Sequence, residues 1–162
     1  MLENEKLPAI FPLASGDRRQ LGKLRFAVVA ARFNPKLADA LLASTLDSLD
    51  QSGARQVESF RTPGSYEVPT IVAHLAKTGR YQAIIALGVI MRGATLHAEH
   101  IGAAATINLQ RLSIKTGVPI IHQILTPRNE RDARARVRLR GIEAAHAAID
   151  MALLMKKLPV KR

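Results

Sequence analysis

The run Ala83-Ile-Ile-Ala-Leu-Gly-Val-Ile90 carries no polar side chain. It has strand length, and a strand this apolar is covered on both faces, as happens in parallel sheets. A parallel neighbour needs a crossover connection, usually a helix. This one segment therefore asks for helices on both sides of a sheet, and the rest of the chain supplies them.

Phe26 to Ala31 is a second apolar run, partly β-branched. Val57 to Phe60 and Val118 to Leu125 are two more of strand length. Between them, Leu37, Leu41, Leu42, Leu46 and Leu49 recur at helical spacing over Lys36 to Leu49. Pro35 suits the first position of that helix, where its missing N–H has no partner to lose, and Ser52-Gly53 ends it. Further helices are expected over Val68–Lys77, about His97–Lys115 and about Gly141–Leu158. The first two close on Thr78-Gly79 and Thr116-Gly117 and the last on Pro159. Strands alternating with helices give an α/β fold. Right-handed crossovers make it a flavodoxin-like three-layer αβα sandwich with a four-stranded parallel sheet. Residues 1–24 mix charges, prolines and short apolar pieces and read as an extended N-terminal arm. Residues 25–162 read as a single domain.

The chain has 162 residues, enough for one ordinary core, and 48 % are hydrophobic, which argues against disorder. It lacks Cys, so no disulfide, thiolate metal site or Cys nucleophile is available, in keeping with a reducing cytoplasm. No apolar run reaches the roughly 18 residues of a membrane span, and no basic-then-apolar leader pattern opens the chain. A net charge of +11 suggests anionic partners: phosphorylated substrates, acidic proteins or nucleic acid. Much of it sits in Arg128, Arg131, Arg134, Arg136, Arg138 and Arg140. On a strand the last four would point one way; on a helix they would wrap around. Four Phe and two Tyr offer little stacking surface, so nucleic acid ranks last among the partners.

In open parallel sheets, ligands bind beyond the carboxyl ends of the strands. That rule selects four loops: Phe33-Asn34, Pro63 to Glu67, Met91 to His97, and Thr126 onward. Gly93-Ala94-Thr95 before a helix suits phosphate, because first-turn N–H groups and the helix dipole favour anions. It is neither a dinucleotide fingerprint nor a P-loop, since G-x-G-x-x-G and G-K-S/T are absent. His97 starts that helix, and an imidazole there can shuttle protons; a capping or surface role is the plain alternative. His97, Glu99 and His100 lack metal-site spacing and a second cluster, so no metal is expected. One or two of the arginines can clamp a phosphate, although a solvated basic surface is their ordinary reading.

Taken in order, these loops resemble the lumazine synthase family. Arg32-Phe33-Asn34 resembles its R-F-N/W-N segment. Thr62 to Pro69 resembles V-P-G-A-F/Y-E-I/L-P, and Leu87 to His97 resembles L-G-x-V-I-R-G-x-T-x-H. Gly117 to Ile121 resembles G-V-P-V, and Asn129 to Arg136 resembles N-x-x-Q-A-x-x-R. The match runs from about Phe26 to Leu158. The resemblance implies condensation of 5-amino-6-(D-ribitylamino)uracil with 3,4-dihydroxy-2-butanone 4-phosphate to give 6,7-dimethyl-8-ribityllumazine, phosphate and water, without a cofactor. It implies that Phe33 stacks on the pyrimidine, with Asn34 and Tyr66 beside it. Ser65 and Glu67 hold the ribityl chain, and backbone groups at Ile90 and Arg92 read the uracil edge. Gly93, Ala94, Thr95 and Arg136 take the phosphate, His97 shuttles protons, and Arg140 and Glu143 support. It further implies a pentamer or a multiple of it, with His122, Arg136 and Arg140 serving the adjacent subunit's site.

The chain departs from the family at several points. His122 stands where Phe is usual, Asp132 replaces a Gln, and Arg140 replaces a Lys. The stretch from Arg136 to Gly141 is a few residues short. The placement of Arg136 rests on Asn129 and Ala133, and Arg134 and Arg138 are alternative holders of its role. These departures also motivate a second reading: a non-catalytic homologue that binds flavin-like ligands or serves as an assembly scaffold.

Overall fold

A computed structural model describes residues 15–159. Its elements are α1 (Ser15–Leu21), β1 (Arg25–Ala31), α2 (Pro35–Ser52), β2 (Gln56–Thr62), α3 (Val68–Lys77), β3 (Ala83–Val89), α4 (His97–Thr116), β4 (Ile120–Leu125) and α5 (Glu130–Lys157). All strand pairs are parallel, in the order β2-β1-β3-β4. The chain thus leaves β1 toward one edge and returns to β3 to build toward the other. Between β1 and β3 the connections diverge, and this switch point opens a crevice at the strands' carboxyl ends.

The expected double burial is met. Phe26, Val28 and Ala30 of β1 and Ala83, Ile85, Leu87 and Val89 of β3 face a core shared with α2 and α5. The alternate residues Ala27, Val29 and Ala31, with Ile84 and Ala86, face a second core under α3 and α4. Every residue of β3 is buried, while β2 and β4, at the edges, are only partly covered. Burying a side chain of Val, Leu or Ile size contributes about 1.5–3 kcal/mol, so these two strands anchor the sheet.

Two expectations are corrected. Residues 15–21 form a helix rather than extended arm, and Leu21 and Leu24 are fully buried in the α2–α5 core. Lys157 Nζ lies 3.8 Å from Asp17 Oδ1, between α5 and α1. The rest of the expected arm, residues 1–14, lies outside the described residues. The last helix starts not at Gly141 but at Glu130. Asn129 caps it, its Oδ1 accepting the Asp132 N–H at 2.8 Å. The segment from Glu130 to Arg140 then contains neither Gly nor Pro and is dominated by good helix formers. The arginines accordingly wrap around a helix. Arg134 pairs with Glu130 one turn back.

Gly141 sits inside α5 for a packing reason. A Cβ there would overlap Ser44 Oγ and stand 2.7 Å from the Leu41 carbonyl oxygen of α2. The bare backbone lets the two helices meet closely, with Leu41, Leu49, Ala144, Ala145 and Ala148 filling the seam. Gly141→Ala is expected to lower the denaturation midpoint, by about 1–3 kcal/mol of overpacking. Helix propensity alone favours Ala by about 1 kcal/mol, so a raised midpoint in equilibrium unfolding would show that the seam yields.

Candidate active site

Three loops meet at the switch point. After β1, the backbone ladder continues: Arg32 N–H donates to Thr62 O at 2.8 Å and Phe33 N–H to Pro63 O at 3.2 Å. Asn34 then takes a left-handed conformation, φ 57° and ψ 58°, which Asn tolerates better than most residues. Its side-chain Nδ2 donates to Val89 O at 2.8 Å. The expected pyrimidine-contacting Asn34 is therefore also the tie across the crevice, joining the end of β1 to the end of β3.

The second loop, Pro63 to Glu67, is tied within itself. Thr62 Oγ1 donates to Gly64 O at 2.9 Å, and Gly64 N–H donates to Glu67 Oε2 at 2.8 Å. The latter bond turns one carboxylate oxygen inward and leaves the other for a ligand. Ser65 is buried and Tyr66 is exposed. In the third loop, Ile90 N–H donates to Leu125 O at 2.8 Å. Ile90 thus has only its carbonyl left to meet a uracil edge. Gly93, Ala94, Thr95 and His97 are exposed. No side chain caps the start of α4, so its first-turn N–H groups are open to an anion.

These loops enclose a cavity of about 700 Å³. It brings together Phe33, Asn34, Ser65, Tyr66, Glu67, Ile90, Gly93, Thr95 and His97, from loops some 30 residues apart in sequence. Phe33, 70 % exposed, stands in its lining as an open aromatic surface. Met91, His100, Ile101 and Ala104 also line it; the sequence placed Met91 in a ligand loop and weighed His100 only as a metal ligand, and it gave Ile101 and Ala104 no role. The signal was present, because His100, Ile101 and Ala104 follow His97 at helical spacing.

The remaining expected residues lie elsewhere. Arg92, His122, Arg136 and Arg140 line a separate concavity of about 610 Å³ between β4 and α5, with Arg128 and Asp132. Ala94 lines neither space. Glu143 pairs with Arg140, Oε2 accepting from Nη1 at 2.7 Å. Within one chain, then, most residues expected on the pyrimidine side and the expected cationic residues line two separate concavities. Among the described residues, no three His, Asp or Glu side chains converge as metal ligands.

His122 is tied to α4. Its Nε2 lies 2.9 Å from the Thr106 hydroxyl, which also reaches Gly102 O at 2.8 Å. Burial pushes the His122 pKa below its ordinary value, against a smaller upward pull from its own backbone. Burial likewise lowers His146, with Asp150 pulling the other way, at a 3.1 Å contact to Ser48 on α2.

Two predictions follow from this geometry. Asn34→Ala should cost about 2 kcal/mol, from a left-handed residue with a Cβ plus one lost hydrogen bond. Asn34→Gly should cost about half, losing only the bond; equal losses in denaturant titrations would deny the backbone any share. The second concerns pH. A histidine whose folded pKa is depressed binds its proton first in the unfolded chain, near pH 6.5. Stability is thus complete above that pH, falls as pH drops through it, and levels off below the folded pKa values. His122→Gln with His146→Gln should flatten this slope in unfolding measured from pH 8 to pH 5. An unchanged slope would place the titrating groups elsewhere.

The family model described as 6,7-dimethyl-8-ribityllumazine synthase matches residues 23–156. The 6,7-dimethyl-8-ribityllumazine synthase of Pyrococcus furiosus is 40 % identical over 146 residues, covering 88 % of this chain and 92 % of the relative. That of Thermococcus onnurineus is 39 % identical over 138 residues, covering 83 % and 91 %. That of Salinibacter ruber is 41 % identical over 140 residues, covering 83 % and 90 %. With the family model spanning all of the sheet and these relatives matched over most of their length, the chain belongs to the 6,7-dimethyl-8-ribityllumazine synthase family of riboflavin biosynthesis.

Proposed function

We propose that the crevice between β1 and β3 condenses 5-amino-6-(D-ribitylamino)uracil with 3,4-dihydroxy-2-butanone 4-phosphate, as a transferase acting in the cytoplasm. The observation that carries this reading is the single cavity that holds Phe33, Ser65, Glu67, Thr95 and His97 together. The primary amine attacks the ketone and water leaves as the imine forms. Phosphate is then eliminated, and the second amine closes the ring with loss of another water. Each step moves protons and none needs a strong nucleophile, so positioning and proton transfer carry the catalysis.

In this reading Phe33 stacks on the pyrimidine, with Asn34 and Tyr66 flanking it. The free carboxylate oxygen of Glu67 accepts ribityl hydroxyls beside Ser65. The Ile90 carbonyl and the backbone at Arg92 meet the uracil edge. The open N–H groups at Gly93, Ala94 and Thr95 and the start of α4 receive the phosphate, next to His97 as proton shuttle. Arg136, Arg140 with Glu143, and His122 complete a neighbouring subunit's site. Their separation from the pyrimidine-side cavity within one chain supports that assignment. So do exposed apolar residues on α4, Ile107 and Ile114, which suit burial between subunits. The assembly is then a pentamer or a multiple of it.

The test is turnover with both substrates, following the lumazine by absorbance. Formation above the uncatalysed background is expected. His97→Ala should lower kcat by about 10²–10⁴-fold, the usual worth of general acid–base catalysis, with pyrimidine affinity kept. Arg136→Ala should chiefly raise the KM for the sugar phosphate. If Arg138→Ala does so instead, the register of the arginine segment is displaced by two residues. Pyrimidine binding without any product would favour the non-catalytic homologue.

A further inference from the structure

We propose that Gly88, in the middle of β3, is a positioning residue of the active site, because its missing side chain is the seat on which Ser65 rests. The inference builds on the reading of Ser65 as a ribityl-binding residue.

The β3 residues that face α3 and α4 are Ile84, Ala86 and Gly88, by strand alternation, with Ile90 just past the strand's end. Side chains shrink from Ile84 through Ala86 to none at Gly88, leaving a gap before Ile90. Glycine inside a strand weakens it, and there often marks a close backbone approach. Here the approaching group is identified. A Cβ on Gly88 would overlap Ser65 Oγ and stand 3.3 Å from Ser65 Cβ, while its next neighbour, Ile124 Cγ2, lies at an ordinary 3.5 Å. The space left by Gly88 is therefore filled by one residue of the β2–α3 loop.

Ser65 is itself buried, at 6 % exposure, and lines the cavity. Its loop is closed by the Thr62-to-Gly64 and Gly64-to-Glu67 hydrogen bonds. Two responses of the facing loop relieve a methyl group at position 88. The hydroxyl rotates off its present position, or the loop lifts and carries Glu67 with it. Both move a ribityl-facing oxygen and leave His97 and the start of α4 in place. The defect should then fall on pyrimidine binding rather than on proton transfer.

The experiment is a double-mutant cycle on the full-length assembly with Gly88→Ala and Ser65→Ala. Its readouts are steady-state kinetics and amide hydrogen exchange of residues 62–67. Gly88→Ala is expected to raise the pyrimidine KM about tenfold, the worth of one well-placed hydrogen bond. The sugar-phosphate KM and kcat should stay within about threefold, and exchange in the loop should quicken. With Ser65 already replaced by Ala, the same change should add little to either readout, because the overlapping oxygen is gone. Additive effects, or a Gly88→Ala protein with unaltered loop exchange and unaltered KM, would overturn the proposal. If Gly88→Ala alone does not fold, the double variant is expected to recover folding, and its failure to do so would equally overturn it. Coupled exchange in a protein that neither binds nor turns over the pyrimidine would uphold the seat and bring down the ribityl reading instead.

Discussion

Everything in this molecule hangs on two strands that water does not reach. β1 and β3 bury side chains on both faces, and neither carries a polar group in its buried interior. A sheet built around such a pair needs helices above and below it, and the connections must diverge where β1 and β3 lie side by side. The crevice is therefore a product of the same burial that stabilises the fold. No separate element has been added to make it. What the sequence adds is a tie: Asn34 joins the end of β1 to the end of β3 with one hydrogen bond to Val89.

The division of labour across the surface is chemical as well as spatial. The cavity over β1 and β3 combines open aromatic and apolar surface with one free carboxylate oxygen and a helix start. The concavity beside β4 gathers Arg92, Arg128, Arg136 and Arg140 around one lining acid, Asp132, with Glu143 paired to Arg140 and Glu99 4.0 Å from Arg92. A lone chain thus presents a modest excess of positive charge there. The net charge of +11 is in part this local excess.

The central strands were legible because an unbroken apolar run has few alternatives at that length, and α3 was bounded correctly by Glu67-Val68 and Thr78-Gly79. The loops of the cavity were legible because parallel topology dictates where ligands go. Other features were not. Gly141 looks like a boundary in sequence, where glycine usually interrupts helices; only the approach of Leu41 and Ser44 shows that it is a contact. Residues 15–21 gave no periodic signal, since a helix of two turns is too short to show one. The split of the expected site into two concavities was invisible to local pattern, because it depends on which side of β4 α5 lies. That reading came from family resemblance alone.

The continuity of α5 has a consequence for how such a site changes. Its 28 residues make one rod of about 42 Å, clamped to α2 at Gly141 and bearing the arginines beyond the clamp. Rotation about that rod is set by residue count. Inserting or removing one residue between Glu130 and Arg140 swings every guanidinium on the far side by about 100° while the clamped half stays still. Length change by a whole turn nearly restores the facing. The arginine-bearing end can thus be re-aimed in coarse angular steps by small insertions and deletions, provided Ala133 and Val137, which reach the core under the sheet from the same segment, are replaced by equivalent apolar residues.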